Sequence, residues 1–166
     1  EEAYRIGRTP ITQVRDLIMD DYNFAISVLP DSYESNNDQG RATRLAVYAF
    51  RGKLELFWAT WKKNGRPEID NFQQNTSEAQ EYFNKAILSF SEVMKPEHKL
   101  KLFEDGASGE YHNPNYLQLF DLKNEKSSEV IFAVQYGGPN IGQGEEFVKF
   151  FGNRSVLNGW ANMQPT

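Results

Sequence analysis

Three long stretches of this chain carry apolar residues at three- and four-residue steps, and a proline stands at or just past the end of each. This combination constrains the fold most, because a period near 3.6 builds one buried stripe and proline cannot supply the N–H that the next helical turn needs. In the first stretch, Thr12 to Leu29, the residues Val14, Leu17, Ile18, Tyr22, Ala25, Ile26 and Leu29 fall on one face. Thr12 is its expected N-cap and Pro30 its stop. The second runs from about Arg41 to Lys63 through Leu45, Tyr48, Ala49, Gly52, Leu56 and Ala59, with Asn64-Gly65 as C-cap and Pro67 beyond. Its small residues Ala42, Ala46, Ala49 and Gly52 form a stripe that admits a neighbouring helix closely. Trp58 and Trp61, three apart on this helix, read as packing residues. The third stretch, about Ser77 to Lys95, carries Ala79, Tyr82, Phe83, Ala86, Ile87, Phe90, Val93 and Met94 and ends at Pro96.

The Ala25-Ile26 pair of the first helix is echoed by Ala86-Ile87 in the third. An alanine followed four residues on by a large side chain, Ala86 to Phe90, is similar to the second helix of a tetratricopeptide repeat, where alanine lets the neighbouring helix in and the aromatic fills the groove. Past Pro96, Gly106, Gly109 and Asn113-Pro114 break the chain, Tyr116 to Phe120 reads as a short helix, and Glu129 to Tyr136 reads as a strand. Residues 137 to 166 hold no sustained period. The expected fold is therefore mainly α: tetratricopeptide-like helical hairpins over about 10–96, then a loop and short-strand region over about 97–166, all in a single partial domain 1–166.

Lys and Arg number 18 against 23 Asp and Glu, a net charge of −5 across 166 residues, and no basic stripe of the kind nucleic acid requires is present. The chain has no cysteine, which removes disulfides, thiolate zinc sites and cysteine nucleophiles together. The longest apolar runs, Leu45 to Phe50 and Val130 to Val134, fall far short of the ~20 residues of a membrane span.

Several segments, in order and at matching distances, resemble the SusD/RagB-like family of outer-membrane nutrient-binding lipoproteins of Gram-negative bacteria. Val14 to Pro30 is similar to the family's early helix, which closes on Leu-Pro. Gly40-Arg41-Ala42-Thr43-Arg44 resembles the Gly-Arg-Ala-Thr start of its next helix, and is the most specific motif. Tyr82-Phe83 with Ala86, then Tyr116 with Leu119-Phe120, then Ser128-Glu129-Val130-Ile131-Phe132 follow, and Gln164-Pro165-Thr166 looks like a later Pro-Thr segment. The bulky Tyr48, Phe50, Trp58 and Trp61 depart from the smaller residues usual in the second helix. The resemblance implies a middle fragment of a longer surface lipoprotein that captures an oligosaccharide or other nutrient without turnover. It further implies hand-over to a TonB-dependent outer-membrane transporter, which the tetratricopeptide-like helices contact, with a lipid anchor outside this segment.

Sugar recognition needs aromatic faces for the C–H side of pyranose rings, with amides beside them for the hydroxyls. Tyr136, Asn140, Asn158, Trp160 and Asn162 supply both, Trp160 standing between two amides; the alternative for Trp160 is a core plug beside the Pro-Thr turn. The glycine-rich segment from Gly137 to Gly144 lacks the Gly-Lys-[Ser/Thr] of a phosphate loop, and Phe147 stands where a dinucleotide fingerprint needs glycine, so it reads as a solvated loop. Glu104, Asp105, Glu110, His98 and His112 match no calcium loop and no helical histidine pair, and read as surface polar residues. Glu145 and Glu146 are adjacent and diverge on any regular element, so no carboxylate pair for glycoside hydrolysis is expected. The expectation is a non-enzymatic binding subunit with no cofactor and no resident metal. A helical-repeat adaptor for proteins and a helical glycan-processing enzyme are the alternatives.

Overall fold

The computed structural model describes residues 7–35, 38, 40–106 and 114–133. Helix α1 spans Ile11–Val28, α2 Arg44–Asn64, α3 Thr76–Val93 and the short α4 Pro114–Leu119. A 3-10 turn at Pro96–His98 follows α3, and another at Leu122–Asn124 follows α4.

Each long helix begins where its first free N–H groups find an acceptor. On α2 the acceptor is Thr43, whose hydroxyl takes the Ala46 N–H at 3.2 Å, so the helix starts three residues later than Arg41. Asn75 does the same for α3, accepting from the Glu78 N–H at 3.0 Å. Thr12 does not cap α1: Pro10 holds the cap position and makes no side-chain bond. The acceptor comes from far away in sequence instead, as Asp70 Oδ2 takes the Ile11 N–H at 2.9 Å. At the other end of α2, Gly65 adopts φ 72° and ψ 159° while its N–H returns to the Trp61 carbonyl at 2.7 Å. That backbone conformation is open essentially only to glycine.

Helix α2 packs against both α1 and α3, most extensively against α3. The core is drawn from α2 and α3: Ala46, Val47, Trp58 and Ala59 from α2 and Ala79, Ala86 and Val93 from α3 are buried, with Phe72 from the connection. The small-residue stripe works as expected at Gly52, where a Cβ would sit 2.7 Å from a ring carbon of Phe90. Phe90 therefore lies directly on the α2 backbone, the kind of close approach that a residue without Cβ permits. Phe72 is tied in by a bridge from the Arg66 N–H to its carbonyl at 2.8 Å, and its ring meets Trp58 edge-on with centroids 4.9 Å apart.

The apolar stripe of α1 is wider than the strip that α2 covers. Ile18, Tyr22, Ala25, Ile26 and Leu29 are half-buried, but Val14 and Leu17, expected on the same face, are exposed, Leu17 by 63 %. Ile87 on α3 and Met94 at its C-cap are likewise exposed rather than packed. No residue of α1 is buried. Of the strand expected at 129–136, the described part, 129–133, has no ladder partner; the backbone there turns, with the Val130 N–H bonded to the Ser127 carbonyl at 2.9 Å. Residues 134–136 lie outside the described residues.

Candidate functional site

The five residues expected to hold ligand, Tyr136, Asn140, Asn158, Trp160 and Asn162, all lie outside the described residues. So do the glycine-rich segment, Glu110, His112, Glu145 and Glu146. Among the described residues no three of His, Cys, Asp and Glu come together to hold a metal ion, and no helix is long and apolar enough to cross a membrane.

Two polar clusters hold the helices in register. In the first, the carboxylate of buried Glu55 on α2 accepts the Ser89 hydroxyl of α3 at 2.6 Å, and Arg51 Nε donates to the same hydroxyl at 3.0 Å. Arg51 also reaches Asn23 of α1 at 3.2 Å, so one guanidinium ties all three helices. In the second, the Arg15 guanidinium lies 4.3 Å from the Trp58 ring centre, while Trp58 Nε1 donates to Glu78 at 3.2 Å and Lys62 pairs with Glu78 at 2.9 Å. Burial pushes the Glu78 carboxyl up, but hydrogen bonds from Lys62 and Trp58 and the charges of Lys62 and Arg15 outweigh it and hold the group below the ordinary carboxylate range. Every polar group here is spent on another, so both clusters act as scaffold and offer no open site.

The segments that carry the family resemblance meet one another. Arg44 donates its backbone N–H to the Pro30 carbonyl at 2.9 Å and its Nε to the Leu29 carbonyl at 3.0 Å, with Asp31 at 3.5 Å beside it. The Leu-Pro end of α1 is thereby latched to the Gly-Arg-Ala-Thr-Arg start of α2. Gly40, at φ 85°, makes the preceding turn. Further on, Glu129 accepts the Phe103 N–H at 2.6 Å, and Phe132 meets Phe50 of α2 edge-on with centroids 6.1 Å apart.

Two clefts adjoin the Glu129 segment. One, of about 320 Å³, is lined by Ala46, Ala49, Phe50 and Lys53 of α2 and by residues 129–132. The other, of about 220 Å³, lies between residues 101–105 and 123–128 and carries Lys101, Lys123 and Lys126. Sequence reading missed this second cleft because its lysines are 22 and 3 residues apart and form no local basic run. The densest run, at Lys62-Lys63, is the end of α2, where the positive charges complement the helix dipole. Compared with family models, with curated proteins and with solved structures, the chain matches none.

Proposed function

We propose that this chain belongs to a non-catalytic, cell-surface nutrient-binding subunit of SusD/RagB type that captures an oligosaccharide and passes it to a TonB-dependent outer-membrane transporter. The observation that carries this reading is the latch between Leu29-Pro30 and Arg44. Residues that resemble family landmarks have definite mechanical tasks: Gly40 turns the chain, Thr43 caps α2, Arg44 closes the α1–α2 hairpin and Glu129 anchors the segment after α4. A spacing tied to such tasks cannot drift without breaking a hydrogen bond. On this reading α1 to α3 form tetratricopeptide-like hairpins, with Ala86 and Phe90 in the repeat's packing roles.

The division of labour follows from exposure. Leu17, Phe24 and Val28 put a row of exposed apolar side chains on α1, a surface that suits a protein partner, here the transporter. The ligand is taken by Tyr136, Asn140, Asn158, Trp160 and Asn162, the Trp160 indole packing on a sugar face and the amides bonding hydroxyls. The same apolar row favours one other reading, a helical adaptor that binds protein without any nutrient.

Titration calorimetry of the whole protein against plant, host and microbial oligosaccharides, with Trp160→Ala alongside, tests the proposal. Saturable heat without hydrolysis, lost in the variant, is the expected result. Silence across the panel overturns it in favour of the adaptor, and release of shorter sugars overturns it in favour of an enzyme.

A further inference from the structure

The 220 Å³ cleft between residues 101–105 and 123–128 concentrates positive charge in a chain whose net charge is −5. Three lysines, Lys101, Lys123 and Lys126, face it against one wall carboxylate, Asp105. Among the described residues Lys101 and Lys126 have no ion-pair partner, and Lys123 has only the exposed Asp121 at 3.7 Å. Like charges gathered in a concave site repel one another and focus a positive potential, which an incoming anion relieves.

The cleft is built rather than incidental. Its walls are pinned by the Phe103 N–H on Glu129 at 2.6 Å and the Ser128 hydroxyl on the Lys101 carbonyl at 3.5 Å. Ser127 is engaged as well, its N–H on the Asn124 carbonyl at 2.8 Å and its hydroxyl oxygen accepting the Glu129 N–H at 3.3 Å. The two serines are thus engaged in the walls, while the ammonium groups of Lys101 and Lys126 are left for a ligand and that of Lys123 is shared with exposed Asp121. Half-buried Phe103 adds an apolar surface beside them. A volume below the ~300 Å³ at which pockets for drug-sized molecules begin admits a single compact unit.

We propose that this cleft binds the carboxylate of a uronate unit of an acidic saccharide, the ammonium groups of Lys101, Lys123 and Lys126 holding the anion and the ring lying beside Phe103. The anionic preference stands on the cleft alone; that the ligand is a saccharide rests on the function proposed above. The test is calorimetric titration of the whole protein with a uronic-acid disaccharide, the neutral disaccharide of the same linkage, and sodium sulfate, each at low salt and at high salt, repeated on a Lys101→Gln/Lys126→Gln variant. Both lysines are exposed, so the variant keeps the fold.

The expected result is salt-sensitive binding of the acidic disaccharide, at least tenfold tighter than the neutral one, with a loss of about fivefold per lysine removed, the upper end for exposed charge pairs. Equal binding of the acidic and neutral sugars, or acidic binding untouched by the double substitution, overturns the cleft assignment and leaves the nutrient-binding reading standing. Sulfate heat without uronate heat overturns the saccharide assignment. Silence from both disaccharides and from sulfate overturns this proposal alone, since the oligosaccharide panel with Trp160→Ala decides the nutrient-binding reading separately.

Discussion

Replacing Ser89 by alanine removes a hydroxyl that is fully buried and carries two hydrogen bonds at once, to Glu55 at 2.6 Å and from Arg51 at 3.0 Å. Glu55 then stays buried, 3 % exposed, with one of its acceptors unfilled. Hydrogen bonds to charged groups are worth about 1.5–3 kcal/mol, and leaving a buried partner unsatisfied costs its desolvation in full. Arg51 loses less, because its side chain is 21 % exposed, keeps Asn23, and stands 3.7 Å from Glu55. Counting the Glu55 bond fully and the Arg51 bond partly, the expected loss is about 2–3 kcal/mol. For a chain of this length that is a fall in Tm of about 5–10 °C. Urea unfolding followed by far-ultraviolet circular dichroism measures it as a lower midpoint at unchanged slope. Combining Ser89→Ala with Glu55→Met removes donor and acceptor together, so the double variant should be more stable than the sum of its single changes by about 1 kcal/mol. A loss under about 0.5 kcal/mol for Ser89→Ala, or strict additivity in the pair, would refute the account of a shared buried bond.

Three more outcomes follow from the same geometry. Gly65→Ala forces a Cβ into a backbone conformation at φ 72°, 3.1 Å from the Gln74 nitrogen, and should destabilise by about 1–3 kcal/mol; a neutral result in urea unfolding means the α2 terminus is not held there. Asp70→Asn keeps an oxygen near the α1 N-terminus but removes its charge, which should cost about 0.3–1 kcal/mol. Hydrogen exchange should quicken in α1 and stay unchanged in α2 and α3; equal acceleration in all three contradicts a local cap. Because the folded Glu78 carboxyl lies below its ordinary range, its contribution is present above the unfolded value near 4.3 and is lost as pH falls through the folded value. Glu78→Gln should therefore flatten the decline in stability as pH falls below about 5, and an unchanged decline removes Glu78 as its cause.

How much was legible differs sharply between elements. The existence of α1, α2 and α3 and their ends near Pro30, Gly65 and Pro96 follow from local chemistry, since apolar period, proline and glycine act within a few residues. Start positions were harder: α2 waits for Thr43, whose hydroxyl reaches its own first turn, but the acceptor for α1 is Asp70, 59 residues away from Ile11. Nothing around Thr12 signals that. Periodicity marks which side of α1 is apolar but not how much of it a neighbour covers, and Leu17 stays 63 % exposed. The lysine cleft was invisible for the same reason, its charges arriving from two distant segments that Glu129 pins together.

What the sequence by itself determined is the set of helices and their close-packing stripe, with Gly52 marking where Phe90 of α3 approaches α2. These are properties of neighbours along the chain. What only the tertiary structure decided is which polar groups meet: Glu55 with Ser89, Asp70 with the start of α1, Arg44 with the end of α1, and three lysines around one cleft. The physical reason is range. Helix propensity and capping act over a turn or two, whereas a charge or a buried hydrogen bond depends on whatever the fold carries within a few ångströms of it.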